Sequence, residues 1–361
     1  MAAVILIPAY NPDDKLVEYV ASLTGYGFDR ILVVNDGSRA ECKDFFDRLK
    51  QYPACTVITH EVNRGKGEAL KTGMKYYLEN CDGYAGIVTG DADGQHTLAD
   101  TANLAAKLEE YPNSLLLGSR VFSEAEIPWR SAFGNGLTTK VFKLFYGVSL
   151  GDTQTGLRAI PNSLIPIFGQ LEGSRFEYEM NMLIKCADSG IEIKEFPIET
   201  IYLDKNSSSH FNVVKDSVKI YWLILKRFIG YLISGIISFL VDQGAYRAAI
   251  YLLFPLIADR ISGFGNAAQI FSATAGARVI SSIVNFFINK LFVFSKKGET
   301  GQSFLKYVIV VIGIMLTSST LVWLMNSLLP GISSANIKIV VDLLLVFVTY
   351  TLQRRWVFKK K

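Results

Sequence analysis

Apolar residues in the first 120 positions gather into short runs, at 4–8, 31–35, 55–60, 86–90 and 114–118, all β-branched or leucine-rich. Runs of that length, bounded by Gly, Asn, Asp and Ser, predict β-strands, and helix signals fill the gaps between them, as at 68–80 and around Leu104 and Leu108. Alternating strands and helices predict an α/β fold: a mostly parallel sheet covered on both faces. Asn11-Pro12-Asp13-Asp14 reads as a helix start, with Asn11 capping, Pro12 at the first helical position and two acids complementing the dipole. Thr97 and Asp100 predict a second start, and Phe176-Glu177-Tyr178-Glu179 opens a helix continuing through Met180, Met182, Leu183 and Cys186.

After Arg227 the pattern changes. Four apolar stretches of membrane-spanning length follow, at about 228–254, 267–295, 304–329 and 336–358. Just before them, residues 212–227 alternate Val213, Val214, Val218, Ile220, Tyr221 and Leu223 with Lys215, Lys219 and Lys226, which predicts a basic amphipathic helix lying in the membrane interface. The expected organisation is a soluble domain over 1–211, this juxtamembrane helix, and an all-α domain of four transmembrane helices over 228–361. Overall composition agrees: 50% of the 361 residues are hydrophobic and mean hydropathy is +0.26, high for a soluble chain of this length.

Charge placement sets an expected orientation. Lys226 and Arg227 precede the first span, Lys296, Lys297 and Lys306 surround the middle loop, and Arg354, Arg355 and Lys359 to Lys361 close the chain. The positive-inside rule then puts the N-terminal domain, the middle loop and the C-terminus in the cytoplasm, as expected for an integral protein of the cytoplasmic membrane. Val4 to Ile7 lacks a basic leader and is expected to be a strand, not a signal peptide. The membrane half also reads as a duplication: Phe228-Ile-Gly-Tyr231 matches Phe304-Leu-Lys-Tyr307, and 289–297 matches 353–361. Asp242, Arg247, Arg278, Asp342, Asn285 and Asn289 lie within these spans, and Asp242 is expected to pair with Arg247 in one helix. Dispersed Cys42, Cys55, Cys81 and Cys186 suggest reduced packing residues, and a net charge of +4 carried by membrane-flanking positions gives no indication of nucleic acid.

Chemistry concentrates where the strands end. Ligands of open parallel sheets sit beyond the carboxyl ends of strands, and here those ends read Pro8-Ala9-Tyr10-Asn11, Asn35-Asp36-Gly37-Ser38, Asn63-Arg64-Gly65-Lys66-Gly67, Asp91-Ala92-Asp93-Gly94-Gln95-His96 and Gly118-Ser119-Arg120. In an extended segment, Asp91 and Asp93 point to one side and can share a hard divalent cation that keeps positions open for phosphates. Tyr10 can stack on a base, Asp36 can accept from base or ribose, and Lys66 can approach phosphate. Neither the dinucleotide fingerprint nor the P-loop is present.

Pro-Ala-Tyr-Asn, Val-Asn-Asp-Gly-Ser, Asn-Arg-Gly-Lys-Gly, Asp-Ala-Asp-Gly-Gln-His and Gln154-Thr-Gly-Leu-Arg158 occur in that order, and with them the first half resembles a family 2 glycosyltransferase of the polyprenyl-phosphate, dolichol-phosphate mannose synthase-like type. The membrane half is similar to the GtrA-like domain in Asn285-Phe286-x-x-Asn289 and the Trp356-Val357-Phe358 ending. The resemblance implies a GT-A (Rossmann-like) domain. It makes Asp91, Asp93 and Gln95 the site of Mg2+ or Mn2+, and Pro8, Ala9, Tyr10, Asn11, Asp36, Lys66 and Ala92 the nucleotide-sugar contacts alongside the two acids. Arg120 and Arg130 fall where the family engages phosphate near the acceptor, and Asp152 and Arg158 frame the acceptor side. Glu177 is given a supporting role. The chain departs from relatives with an arginine-rich stretch after the last strand; Lys205 and His210 are the candidate cations there.

The reaction so implied moves a hexose from a nucleotide-diphosphate sugar, of UDP-glucose or GDP-mannose type, to polyprenyl phosphate for cell-envelope glycosylation. A phosphate monoester is already doubly ionised near neutral pH, since its second pKa is about 6, so no strong general base is required. Direct displacement would invert the anomeric centre. The alternative is a lipid-linked sugar flippase carrying a regulatory nucleotide-sugar-binding domain. A processive polysaccharide synthase is disfavoured because no Gln-x-x-Arg-Trp follows the catalytic helix; Gln353-Arg-Arg-Trp356 ends the last span instead. The implied partners are the donor, the lipid phosphate and the bilayer, with homo-oligomerisation left open.

Overall fold

The computed structural model describes residues 3–120, 129–199, 213–256, 266–294, 300–329 and 331–359. It forms two compact units, Met1–Ile224 and Leu225–Lys361.

The first unit is built on strands β1 (Ala3–Ala9), β2 (Ile31–Asn35), β3 (Cys55–Thr59), β4 (Gly86–Thr89), β5 (Leu115–Arg120), β6 (Arg158–Pro161) and β7 (Ile193–Ile198). Around them lie α1 (Asp14–Tyr26), α2 (Lys43–Leu49), α3 (Lys66–Asn80), α4 (Leu98–Lys107), α5 (Trp129–Tyr146), α6 (Ile165–Phe168) and α7 (Glu177–Ser189). The sheet order is β3-β2-β1-β4-β6-β5-β7. All pairings are parallel except those of β6, which runs antiparallel to both β4 and β5. β1 is central because Ala3 to Ile7 are all fully buried, and each buried Val, Leu or Ile contributes roughly 1.5–3 kcal/mol. The core it anchors joins Leu16, Val20 and Leu23 of α1, Val33 of β2, Val88 of β4 and Leu104 of α4.

Five predicted strands are present within two residues of their expected ends. Helix α1 is capped two residues later than expected, by Asp13, whose side chain accepts from the Lys15 N–H. Asn11 instead adopts φ 48° and bridges loops: its N–H donates to Ser38 Oγ at 2.9 Å, and its Oδ1 accepts from the Arg39 N–H at 2.9 Å. Thr97 caps α4 as expected, accepting from the Asp100 N–H at 3.0 Å.

The next helix, α8 (Val213–Ala248), runs unbroken through the predicted boundary at 227, so the juxtamembrane segment continues into the first apolar span. No proline interrupts it, and glycines such as Gly230 only weaken a helix. A π-helical turn (Ala249–Leu253) and α9 (Phe254–Leu256) follow, then α10 (Asn266–Ile288), α11 (Thr300–Leu328) and α12 (Ser334–Leu352). Four helical segments, Lys215–Leu256, Ala268–Val293, Thr300–Leu328 and Ser334–Val357, are long and apolar enough to cross a membrane.

Within the second unit the sequence duplication has a structural counterpart. Both matched endings begin as π-helix, Asn289–Val293 and Gln353–Val357. Phe286 packs against Phe304, Tyr307 and Phe358, while its counterpart Tyr350 packs against Phe228, Tyr231 and Phe294. Asn289 is fully buried; its amide donates to Asn285 and Gln353 and its Oδ1 accepts from Ser234. Asp242 does not pair with Arg247. It faces the neighbouring α10, where Ser281 donates to it at 3.1 Å and Arg278 approaches to 3.6 Å. All four cysteines are free thiols.

Candidate active site

The sheet sets the position of the site. Connections run from β1 outward to β3 on one side, and the chain then returns to add β4 on the other side of β1. Such a reversal leaves a crevice at the carboxyl ends of the two strands. A cleft of about 210 Å³ lies there, lined by Pro8, Ala9, Tyr10, Asn11, Pro12, Asp13, Asp36, Asn63, Gly65, Lys66, Asp91, Ala92, Asp93, Arg175 and Phe176. Every residue expected on the nucleotide side therefore lines one cleft.

The acidic pair sits differently from the expectation. Strand β4 stops at Thr89, and Asp93 lies in a turn closed by Gly94 at φ 75°, so strand alternation does not orient the two acids. The turn itself brings both to the cleft: the Gln95 N–H donates to Asp93 Oδ1 at 3.1 Å. Asp91 is pressed against the segment before β6, where a Cβ on Gly156 would lie 2.1 Å from Asp91 Oδ2. Thr89 holds that segment by donating to the Gly156 carbonyl at 2.7 Å.

Electrostatics separates the two acids. Burial favours the neutral form of Asp91, but Lys66 and His96 outweigh it and hold this carboxyl well below the usual range. Lys66 Nζ is 2.7 Å from Asp91 Oδ1, and His96 Nε2 is 3.4 Å from Oδ2. Burial raises the Asp93 pKa, and the Asp91 charge raises it further. Burial alone would lower Lys66, yet the attraction of Asp91 and of Glu179, 3.1 Å away, carries it above its ordinary value. Among the described residues no three His, Cys, Asp or Glu side chains form a ready metal cage. Two carboxylates on an open cleft, one of them already drawing a cationic ammonium, are a donor set that fits a Mg2+ or Mn2+ sharing its remaining positions with phosphate oxygens.

Asp36 lines the cleft and also braces the loop beside it. It is 2% exposed. Its Oδ1 meets His60 Nδ1 and the Arg64 N–H, both at 2.8 Å, and its Oδ2 accepts from the Gly65 N–H at 2.7 Å. It holds the turn that presents Lys66, using three of the roughly four acceptor positions of a carboxylate. The turn needs Gly65, whose φ is 99° and where a Cβ would meet the Ser174 carbonyl at 2.4 Å.

The residues expected on the acceptor side scatter. Arg120 ends β5 and makes a two-point pair with the fully buried Asp152, Nε to Oδ2 at 2.6 Å and Nη2 to Oδ1 at 3.1 Å. Both lie outside the cleft lining. Arg158 does not face an acceptor: it is 1% exposed, donating through Nε to the Thr155 carbonyl and through Nη1 to the Glu179 carbonyl. Those carbonyls satisfy a charge that would otherwise be too costly inside β6. Glu177 is likewise occupied, its Oε1 accepting from the N–H groups of Ser174 and Arg175 ahead of α7. The side chain of Arg130, and Lys205 and His210 entirely, lie outside the described residues. Sequence reasoning missed Glu179 and His96. His96 stood in the motif itself; Glu179 touches Lys66 across a sequence gap that no local pattern reports.

The family model for glycosyl transferase family 2 matches residues 4–156, and the model for the GtrA/DPMS transmembrane domain matches 230–358. A UDP-N-acetylglucosamine–dolichyl-phosphate N-acetylglucosaminyltransferase of Methanococcus voltae is 31% identical over 228 residues, covering 58% of this chain and 90% of the relative. A dolichyl-phosphate beta-glucosyltransferase of Trichomonas vaginalis is 25% identical, covering 60% of this chain and 72% of the relative. Among solved structures, glucosyl-3-phosphoglycerate synthase from Mycobacterium tuberculosis, in complex with Mn2+, UDP and phosphoglyceric acid, superposes with TM-score 0.49 at 16% identity, covering 62% of this chain and 78% of that one. The chain belongs to the family 2 glycosyltransferases, an enzyme whose GT-A-type catalytic domain is followed by a GtrA/DPMS membrane domain.

Proposed function

We propose that this enzyme transfers a hexose from a nucleotide-diphosphate sugar to a polyprenyl phosphate, with inversion, at the cytoplasmic face of the membrane. One observation carries the reading: a single cleft at the β1/β4 switch point gathers Asp91, Asp93, Lys66 and the Pro8-to-Asn11 loop. The relatives named for transfer to dolichyl phosphate support a polyprenyl phosphate as acceptor.

In this reading the Pro8-to-Asn11 loop receives the nucleotide, with Tyr10 beside the base. Asp91 and Asp93, with Gln95 next to them, hold a Mg2+ or Mn2+ whose chemistry is to neutralise charge on the departing diphosphate. Lys66 lies within reach of the same group. An acceptor phosphate that is already ionised attacks the anomeric carbon without a base. Arg120, held by Asp152, is the guanidinium assigned to acceptor phosphate, whose oxygens suit its planar fork.

Access for the lipid is supported by exposed apolar side chains on the catalytic unit. Phe133, Leu137 and Leu144 are exposed along α5 at helical spacing, and Val218 and Trp222 are exposed on the start of α8. The two helices touch through Thr138 Oγ1 and Tyr221 Oη, 3.2 Å apart. These faces would rest in the interfacial layer, with the flanking lysines on the cytoplasmic side.

The test incubates the purified full chain in detergent with polyprenyl phosphate, Mg2+ or Mn2+, and a panel of radiolabelled UDP- and GDP-hexoses and UDP-N-acetylhexosamines. One donor is expected to yield a lipid-linked sugar, β-linked from an α-linked donor, and Asp93→Ala to abolish it. Absence of lipid-linked product with every donor would reject the assignment and favour a transport role for the membrane half.

A further inference from the structure

Lys66 bridges two carboxylates that come from different elements. Its Nζ is 2.7 Å from Asp91 Oδ1, in the turn after β4, and 3.1 Å from Glu179 Oε1, on α7. Glu179 is anchored from behind: Arg158 donates to its backbone carbonyl at 2.7 Å and stands 4.0 Å from Oε1. Glu179 is 8% exposed, so its carboxylate sits in the protein interior beside Lys66. The ammonium can therefore leave Asp91 while one end of its tether stays in place.

Formal charges show when it would leave. Asp91, Asp93 and Glu179 contribute three negative charges, and Lys66 and Arg158 two positive ones. A divalent cation arriving alone would stand beside an ammonium that already occupies Asp91 and would repel it. A diphosphate arriving with the cation cancels that repulsion and offers Lys66 new anionic oxygens in exchange for Asp91.

We propose that Lys66, tethered by Glu179, is a built-in counter-ion of Asp91 that a diphosphate draws away, so that divalent cation and nucleotide diphosphate bind as a cooperative pair. The inference rests on the assignment of Asp91 and Asp93 as the cation site. Glu179 acts as a positioning residue, keeping Nζ within reach of the acidic pair and of the diphosphate. Because coupling between two ligands is reciprocal, the cation tightens the nucleotide by the same factor that the nucleotide tightens the cation.

The experiment measures Mn2+ binding to the purified full chain by electron paramagnetic resonance, alone and with saturating UDP or GDP, after subtracting Mn2+ held by free nucleotide. Wild type is expected to bind Mn2+ at least about tenfold more tightly with one of the nucleotides. Lys66→Met is expected to bind Mn2+ alone about tenfold more tightly than wild type, with the nucleotide effect reduced to under about threefold. Lys66→Gln should move the same way and replaces it if the methionine variant does not fold. Glu179→Gln, which leaves Lys66 to Asp91 alone, should do the opposite, weakening Mn2+ alone and enlarging the nucleotide effect. A purely structural role for either residue would not produce opposite shifts. Nucleotide-dependent Mn2+ uptake that ignores both Lys66 substitutions overturns this inference alone. Failure of wild type to take up Mn2+ with either nucleotide overturns the cation-site reading and this inference with it.

Discussion

The Gly156→Ala substitution separates catalysis from folding. The added Cβ would sit 2.1 Å from Asp91 Oδ2 and 2.7 Å from its carboxyl carbon, whereas ordinary contact begins near 3.4 Å. The Gly156 backbone is not in the left-handed region, so alanine is tolerated there and the carboxylate must give way. Restoring contact moves Asp91 by roughly 1 Å, and a displacement of that size in a positioning group costs about 10²-fold in rate. That corresponds to about 2.7 kcal/mol of transition-state stabilisation. The assay is the rate of radiolabelled lipid-linked sugar formation at subsaturating donor, run beside a thermal melt of the same preparation. The expected pattern is a loss of about 10²-fold in kcat/KM with a melting temperature close to that of wild type. Activity within about threefold of wild type would refute the argument that the Asp91 position matters, since steric displacement there is unavoidable.

Other substitutions test the supporting contacts. Asp36→Asn keeps one acceptor oxygen where the turn at Arg64 and Gly65 uses two, leaving a buried N–H unpaired at about 1–3 kcal/mol; a lower melting temperature is expected, and an unchanged one would contradict the turn-holding role. Asp93 has a folded pKa raised by burial and then by Asp91, so its ionised form opposes folding above that pKa, and the penalty vanishes once pH falls below the unfolded value of about 3.9. Asp93→Asn should therefore melt higher than wild type at pH 7 in EDTA, with the advantage fading toward pH ~4; a lower melting point at pH 7 would oppose this. In the membrane unit, a double-mutant cycle on Asn289 and Gln353 should give a coupling of about 0.6 kcal/mol in detergent unfolding, typical of hydrogen bonds between membrane helices; zero coupling would show that the contact contributes nothing.

The α/β half was legible because apolar runs at 31–35 and 86–90 have no competing helical period, and they emerge as β2 and β4. Strands β6 and β7 were not foreseen. β6 is four residues long, begins with a buried arginine and ends in proline, a combination that reads as a loop until Thr155 and Glu179 are seen to accept the Arg158 guanidinium. The membrane half was legible by length and hydropathy, and the duplication by matched aromatic and amide positions. The end of the interfacial segment was not, because no sequence signal breaks α8 between Val213 and Ala248. At the site, strand-end motifs predicted which residues would share the cleft. They could not show that Asp36 faces inward to backbone N–H groups, that Arg158 is buried, or that Glu179 reaches Lys66, since each depends on contacts between residues far apart in sequence.

The most direct measurement is crystallographic: crystals of the full chain grown with Mn2+ and UDP or GDP, with diffraction recorded at the manganese absorption edge. The account predicts an anomalous peak within about 2.5 Å of carboxylate oxygens of Asp91 and Asp93, with the diphosphate on its open side. A peak elsewhere, or a nucleotide bound in the cleft with both carboxylates unligated, would contradict it.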